Sequence, residues 1–139
     1  MMKIAVSILL LLSLLLGVPS FNVDMLEKEL YESREVYWIT GYCSCEICCG
    51  KWSLNRPDGI IYTSSQDVAN SEITVAADWS ILPSGTVIYI EGVGQRIVQD
   101  EGGSVKGKHI DVYFDTHKEA EEFGVQRLYV IILGMEVGE

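Results

Sequence analysis

Three aspartates and a knot of four cysteines are the residues of this chain whose types and spacing offer most to chemistry. Asp78 in VAADWS, Asp100 in VQDEGG and Asp111 in HIDVYF each follow or interrupt a short apolar run. A carboxyl group fixed in that way can donate a proton as an acid or take one as a base. Aspartate at a strand end is also an ordinary turn-former and helix cap, and Asp115, just ahead of Thr116, is read as such. Three carboxylates at similar junctions, with Gly102 and Gly103 allowing close backbone approach beside one of them, favour a site.

In HIDVYF, strand alternation puts Ile110, Val112 and Phe114 on one face and His109, Asp111 and Tyr113 on the other. If the first face enters a core, Asp111 looks into a groove beside an imidazole and a phenol. To act as an acid near neutrality it must be raised from about 4 toward 6 or 7, roughly 3 to 4 kcal/mol. Burial and neighbouring carboxylates supply shifts of that sign.

Cys43, Cys45, Cys48 and Cys49 lie within the seven residues CSCEICC. In an exported chain an even cysteine count points first to disulfides, with three connectivities open and the adjacent Cys48–Cys49 pair least comfortable. Zinc on the same thiols is the second reading, although zinc sites usually draw ligands from two separated elements. No cofactor is expected, zinc being the less favoured reading. Thioredoxin-type redox chemistry fits poorly, because no βαβ unit surrounds the CxxC spacing.

Other side chains carry smaller expectations. Lys106 is a candidate to orient Asp100 or to meet a substrate, and Trp79, adjacent to Asp78, and Tyr113 are candidate stacking faces, as are Tyr42 and Trp52. His109 is placed to tune Asp111 from the same strand face. His117, in the first turn of a late helix, is expected to be solvated, and no GxSxG elbow accompanies either histidine.

The elements that must position these groups are mostly strands. From Val36 the chain alternates VYWITGY, ITVAAD, TVIYIEG, QRIVQD, IDVYF and LYVIIL with Gly- and Asp-rich turns, a pattern for a barrel or sandwich. Thr116 and Glu119 form a capping box for one short helix that Gly124 stops. Val125 to Leu133 reads as a buried strand, and Asn55 to Ser71 as a polar surface loop over the barrel mouth. Ahead of the barrel, residues 21–35 carry a short amphipathic lead-in helix, DMLEKELYESRE.

Residues 1–20 complete the plan. Ile4 to Val18 is Leu-rich, follows Lys3 and ends near Gly17, Pro19 and Ser20, shorter than the about 20 apolar residues of a spanning helix. The segment is read as a signal peptide cleaved after Ser20, or an anchor if retained, which places the domain in the cell envelope or outside the cell. The 139-residue chain carries a net charge of −10, and removing that segment takes away one Lys and no acid. Such a balance disfavours nucleic acid and anionic membrane surfaces and suits a neutral polymer such as glycan. A membrane contact is expected only through an uncleaved N-terminal segment.

Together GYCSCEICCGKW, AADWSILPSGTVIYIEG and QDEGGSVKGKHIDVYFDTHKEAEEFG, with the closing apolar strand, resemble the three-aspartate or 3D domain family. The resemblance runs from Val36 to Leu133, with Glu101 where the family's motif usually has Thr and IIYTSSQ in place of a Gly- and Ala-richer loop. It implies a mainly β fold, a six-stranded double-psi β-barrel over 36–139 with one short helix. It further implies similarity to membrane-bound lytic transglycosylases acting on peptidoglycan glycan strands, with Asp78, Asp100 and Asp111 as the three aspartates. A lytic transglycosylase needs one acid, since the sugar's own C6 hydroxyl attacks and leaves a 1,6-anhydro end, whereas a hydrolase adds a second carboxylate. Asp111 is the residue expected to serve as acid and then base. The rival functions are a non-catalytic cell-wall glycan-binding module and a cysteine-centred metal-binding protein.

Overall fold

In the computed structural model, residues 22–54 and 60–136 are described. The expected signal or anchor at 1–20, and part of the expected surface loop, lie outside them. Helix α1, Val23–Glu32, belongs to a unit of its own and buries none of its residues. Among the described residues, no helix is long and apolar enough to cross a membrane.

The second unit, from Arg34, is built on six strands: β1 Glu35–Tyr42, β2 Thr74–Ala77, β3 Thr86–Ile90, β4 Gly94–Asp100, β5 His109–Tyr113 and β6 Gln126–Met135. They close into a barrel in the order β1-β5-β2-β4-β3-β6, as expected for the six-stranded double-psi class. Two neighbouring pairs, β1–β5 and β2–β4, are parallel, and the other four are antiparallel. Among the described residues each of the six strands has a paired neighbour on both sides.

Alternation decides which residues fill the interior. Tyr37 and Ile39 of β1, Val75 and Ala77 of β2, Ile88 and Ile90 of β3, Val98 of β4, and Ile110 and Val112 of β5 form one buried cluster with Val130 of β6. Trp38 and Tyr89, one residue out of phase, point outward and stay exposed. Each buried aliphatic side chain of this size stabilises the fold by about 1.5–3 kcal/mol relative to exposure.

β6 departs from the expected buried strand. Of its apolar run only Val130 is fully buried, while Ile132 and Leu133 are about half exposed. Both its neighbours, β1 and β3, are antiparallel to it, and a barrel strand has one inward face, so an apolar run there covers the interior and the outer wall alike.

Three short helical turns accompany the barrel. α2, Glu46–Cys49, and the 3-10 turn Gly50–Leu54 follow β1. α3, His117–Phe123, is started by the expected capping box, with the Thr116 hydroxyl accepting from Glu119 N–H and the Glu119 carboxylate accepting from Thr116 N–H, and Gly124 closes it at φ 66°. α3 lies against β1 at Gly41, where a Cβ would sit 2.9 Å from the Phe114 ring and 3.0 Å from the Ala120 carbonyl oxygen.

Candidate active site

The strand register assembles the site. Asp111 on β5 pairs with Thr40 on β1 and with Ala76 on β2. Ala76 pairs on its other side with Asp100 on β4, because the β2–β4 register shifts by one between Val75 and Ala76: Val75 opposes Val98, then Ala76 opposes Asp100. Without that bulge Gln99 would oppose Ala76 and Asp100 would leave the row. Thr40, Asp111, Ala76 and Asp100 thus form one line across four adjacent strands, with only a methyl group between the two carboxylates.

Asp111, Ala76 and Asp100 of this line floor a groove of about 730 Å³ whose walls include Tyr42, Cys48, Trp52, Tyr62, Ser64 and Tyr113. Tyr42 and Tyr113 meet edge to face, their centroids 5.4 Å apart. Trp52 and Tyr62 leave their rings exposed.

The three aspartates have different surroundings. Asp111 Oδ1 accepts the Thr40 hydroxyl at 2.9 Å, and Thr40 Oγ1 lies 2.7 Å from His109 Nε2. With Thr40 donating to the carboxylate, Nε2–H of His109 donates to Thr40, a relay of three side chains. Burial is the main cause that raises the Asp111 pKa, and the Asp100 charge adds to it, while the Thr40 hydrogen bond and His109 pull it down. Oδ2 of Asp111 has no hydrogen-bond partner among the described residues.

Asp100, by contrast, is saturated as an acceptor. Oδ2 takes the Tyr42 hydroxyl at 2.7 Å, and Oδ1 takes the Ser64 hydroxyl at 2.6 Å and the backbone N–H groups of Ser64 and Glu101 at 2.9 Å. Four donors are what an ionised carboxylate can accommodate. The Tyr42 phenol is held protonated by burial first and by the Asp100 charge second.

Asp78 does not line the groove. Its Oδ1 accepts the Ser80 hydroxyl at 2.6 Å and Ser80 N–H at 3.1 Å, and its Oδ2 accepts Gly107 N–H at 2.9 Å. The Ser80 hydroxyl foremost, then the Gly107 and Ser80 N–H groups, depress its pKa to about 2. The structure therefore brings Asp100 and Asp111 together and uses the Asp78 side chain to tie the turn after β2 to the loop before β5.

The remaining expectations divide similarly. Tyr113 lines the groove. Trp79 stands behind it, partly buried against the core, with its indole N–H donating to the Asp100 carbonyl at 3.0 Å. Lys106 points to Glu101, at 3.2 Å, an exposed pair of small energetic weight. Glu101 thus supplies the partner of Lys106.

His117 corrects the expectation that it is solvated. Its Nδ1 lies 3.5 Å from Cys45 Sγ and 3.4 Å from Cys48 Sγ, because α3 carries it to the loop after β1. Burial first raises the Cys43 thiol to about 12, and the Cys48 N–H lowers Cys45 to about 7. The sulfurs of Cys43 and Cys48 are 3.8 Å apart, well beyond the about 2.05 Å of a disulfide bond.

Residues 73–134 match the 3D domain. The 3D domain match takes in β2 to β5 and nearly all of β6, and with them all three aspartates, while β1, the cysteine cluster and Thr40 precede it. Over 59 residues the chain is 36% identical to the "Cell wall-binding protein YocH" of Bacillus subtilis (strain 168), a match spanning 42% of this chain and 21% of that protein. Among solved structures it is similar to MltA from E. coli, at 23% identity and TM-score 0.48 over 57% of this chain and 29% of the other. It is similar as well to an apo-expansin of Clavibacter michiganensis, at 15% identity and TM-score 0.51 over 76% and 52%; that likeness concerns the fold alone. The match with the Bacillus relative spans about a fifth of that protein's length.

Two residues of the site were not singled out from the sequence. Ser64 sits in a loop that carries no periodic signal. Thr40 lies in VYWITGY, where its inward neighbours Tyr37 and Ile39 account for the pattern and its own role depends on pairing with β5.

Proposed function

We propose that this barrel acts on the glycan strands of peptidoglycan in the cell envelope, cleaving them by lytic transglycosylation with Asp111 as acid and then base. The observation that carries the reading is the line of Asp111 and Asp100 across the groove floor, one carboxyl raised by burial and the other fully hydrogen-bonded. Two carboxyl groups in such different surroundings are suited to different roles. The 3D domain match and the wall-binding name of the Bacillus relative support the substrate class.

In this mechanism the open Oδ2 of Asp111 delivers its proton to the glycosidic oxygen as the C1–O bond breaks. Asp100, held by its four donors, faces the positive charge building at C1 and the ring oxygen. The substrate's C6 hydroxyl then bonds to C1, and its proton passes to Asp111, restoring the acid. No water is consumed. The exposed rings of Trp52 and Tyr62 offer stacking faces for sugars along the groove.

The Bacillus relative's name also favours a second reading, in which the groove binds wall glycan without cutting it. One experiment separates the two: the full-length chain and its Asp111→Asn variant are incubated with peptidoglycan, soluble products are read by mass spectrometry, and protein sedimenting with the polymer is measured. The expected outcome is anhydro-sugar ends from the parent chain and none from the variant, with sedimentation kept in both. Reducing ends would replace transglycosylation by hydrolysis, and sedimentation without products would establish the binding module.

A further inference from the structure

We propose that Cys43, Cys45, Cys48 and His117 form a tetrahedral zinc site that staples the loop after β1 to helix α3. Each residue offers one ligand atom, and all four atoms lie within 4.8 Å of one another. Zinc bonds of about 2.3 Å to sulfur and 2.0–2.1 Å to nitrogen, set at tetrahedral angles, require sulfurs about 3.8 Å apart and sulfur–nitrogen distances of about 3.5 Å. Cys43 Sγ and Cys48 Sγ are separated by 3.8 Å, and Nδ1 of His117 lies 3.4, 3.5 and 3.9 Å from Cys48, Cys45 and Cys43. These are ligand spacings, where a disulfide would bring two sulfurs to bonding distance and leave the imidazole with no reason to converge on them.

The far side of the imidazole supports the same assignment. Nε2 of His117 lies 3.3 Å from Glu121 Oε1, one helical turn on. A carboxylate there accepts a hydrogen bond from Nε2–H, which fixes the proton on that nitrogen and leaves the Nδ1 lone pair facing the three sulfurs, the usual arrangement behind a metal-bound histidine. The ligands come from two elements, the C-x-C-x2-C loop and α3, as a structural zinc site requires and as the cysteine spacing alone did not show. Three soft thiolates and one imidazole favour zinc over hard cations. Binding displaces the three thiol protons, and four protein ligands leave no coordination position open.

The site lies next to the groove without using its acids. Cys48 and Trp52 line the groove wall, and the 3-10 turn carrying Trp52 follows Cys49 directly. Fixing Cys43, Cys45 and Cys48 to α3 therefore fixes the wall that Trp52 stands on. This inference is independent of whether the groove cuts or only binds glycan.

The test is metal stoichiometry on the full-length chain, purified without chelator, by elemental analysis and native mass spectrometry, with thiols counted by alkylation. One zinc per chain is expected in the parent, in Cys49→Ser, whose sulfur is outside the set, and in His117→Cys, which restores a fourth ligand. Cys45→Ser and His117→Ala are expected to lose it while circular dichroism still reports the barrel. Cobalt exchanged into the parent should show the intense visible bands of tetrahedral thiolate coordination, a readout that needs no variant to fold. A metal-free parent that fails to take up added zinc or cobalt, a disulfide among Cys43, Cys45 and Cys48, or zinc held as tightly by His117→Ala would overturn the site.

Discussion

Thr40 and Asp111 are register partners across the parallel β1–β5 pair, and the Thr40 hydroxyl donates to Asp111 Oδ1 at 2.9 Å. The bond stabilises the carboxylate form, against burial, which disfavours it. Thr40→Val removes the hydroxyl at nearly constant volume, so Asp111 stays protonated to higher pH. Glycan cleavage by an acid is lost as pH rises through its pKa, and the alkaline limb of the pH–rate profile should therefore move up in Thr40→Val. On the proposed mechanism Asp111→Asn removes the proton donor and should lower the rate about 10²–10⁴-fold at every pH. An alkaline limb that stays in place in Thr40→Val would separate Thr40 from the titration of the acid.

The same burial makes Asp111 costly to the fold. A carboxyl whose native pKa is raised contributes stability that is fully present below its unfolded value of about 4 and lost as pH rises through the native value. Asparagine carries no charge to desolvate and still accepts from Thr40. Asp111→Asn should accordingly melt higher than the parent at pH 7, with the advantage shrinking as pH falls through the raised native value and gone below about 4. Melting curves across that range give the answer, and a variant less stable than its parent at pH 7 would contradict it.

Asp78 should behave in the opposite sense. Its pKa, depressed to about 2 by the Ser80 hydroxyl and the Gly107 and Ser80 N–H groups, contributes stability present above about 4 and lost as pH falls through about 2. Asp78→Asn is expected to melt below the parent at pH 7, and the gap should close between pH 4 and pH 2. Because the side chain lies outside the groove, the cleavage proposed for Asp111 should persist in the variant at a temperature where it is folded.

These contrasts show what could be read along the chain and what could not. The strand positions were legible because Ile39, Ile88, Ile90, Ile110 and Val112 alternate with polar or outward neighbours, and the helix start because a capping box is a local signal at Thr116 and Glu119. The division of labour among the aspartates was not. It depends on a one-residue bulge opposite Ala76, on Gly107 N–H reaching Asp78, and on Ser64 arriving from a loop, none of which leaves a periodic trace. His117 was misread for a related reason: its nearness to Cys45 and Cys48 is set by how α3 lies on β1, a contact between residues about 70 positions apart.

That packing can be tested at Gly41. Its φ is not in the left-handed region, so the requirement for glycine there is one of space. A methyl group would meet the Phe114 ring at 2.9 Å and, more seriously, the Ala120 carbonyl oxygen at 3.0 Å and Cα at 3.1 Å, which are backbone atoms of α3 and cannot swing aside. Gly41→Ala should destabilise the barrel by about 1–3 kcal/mol, the usual cost of overpacking, measured by urea unfolding. Relief of the clash pushes α3 outward and moves His117 away from the sulfurs, so the variant should also hold zinc more weakly than the parent. Loss of stability with unchanged zinc affinity would mean that β1 absorbs the strain instead, leaving α3 where it is.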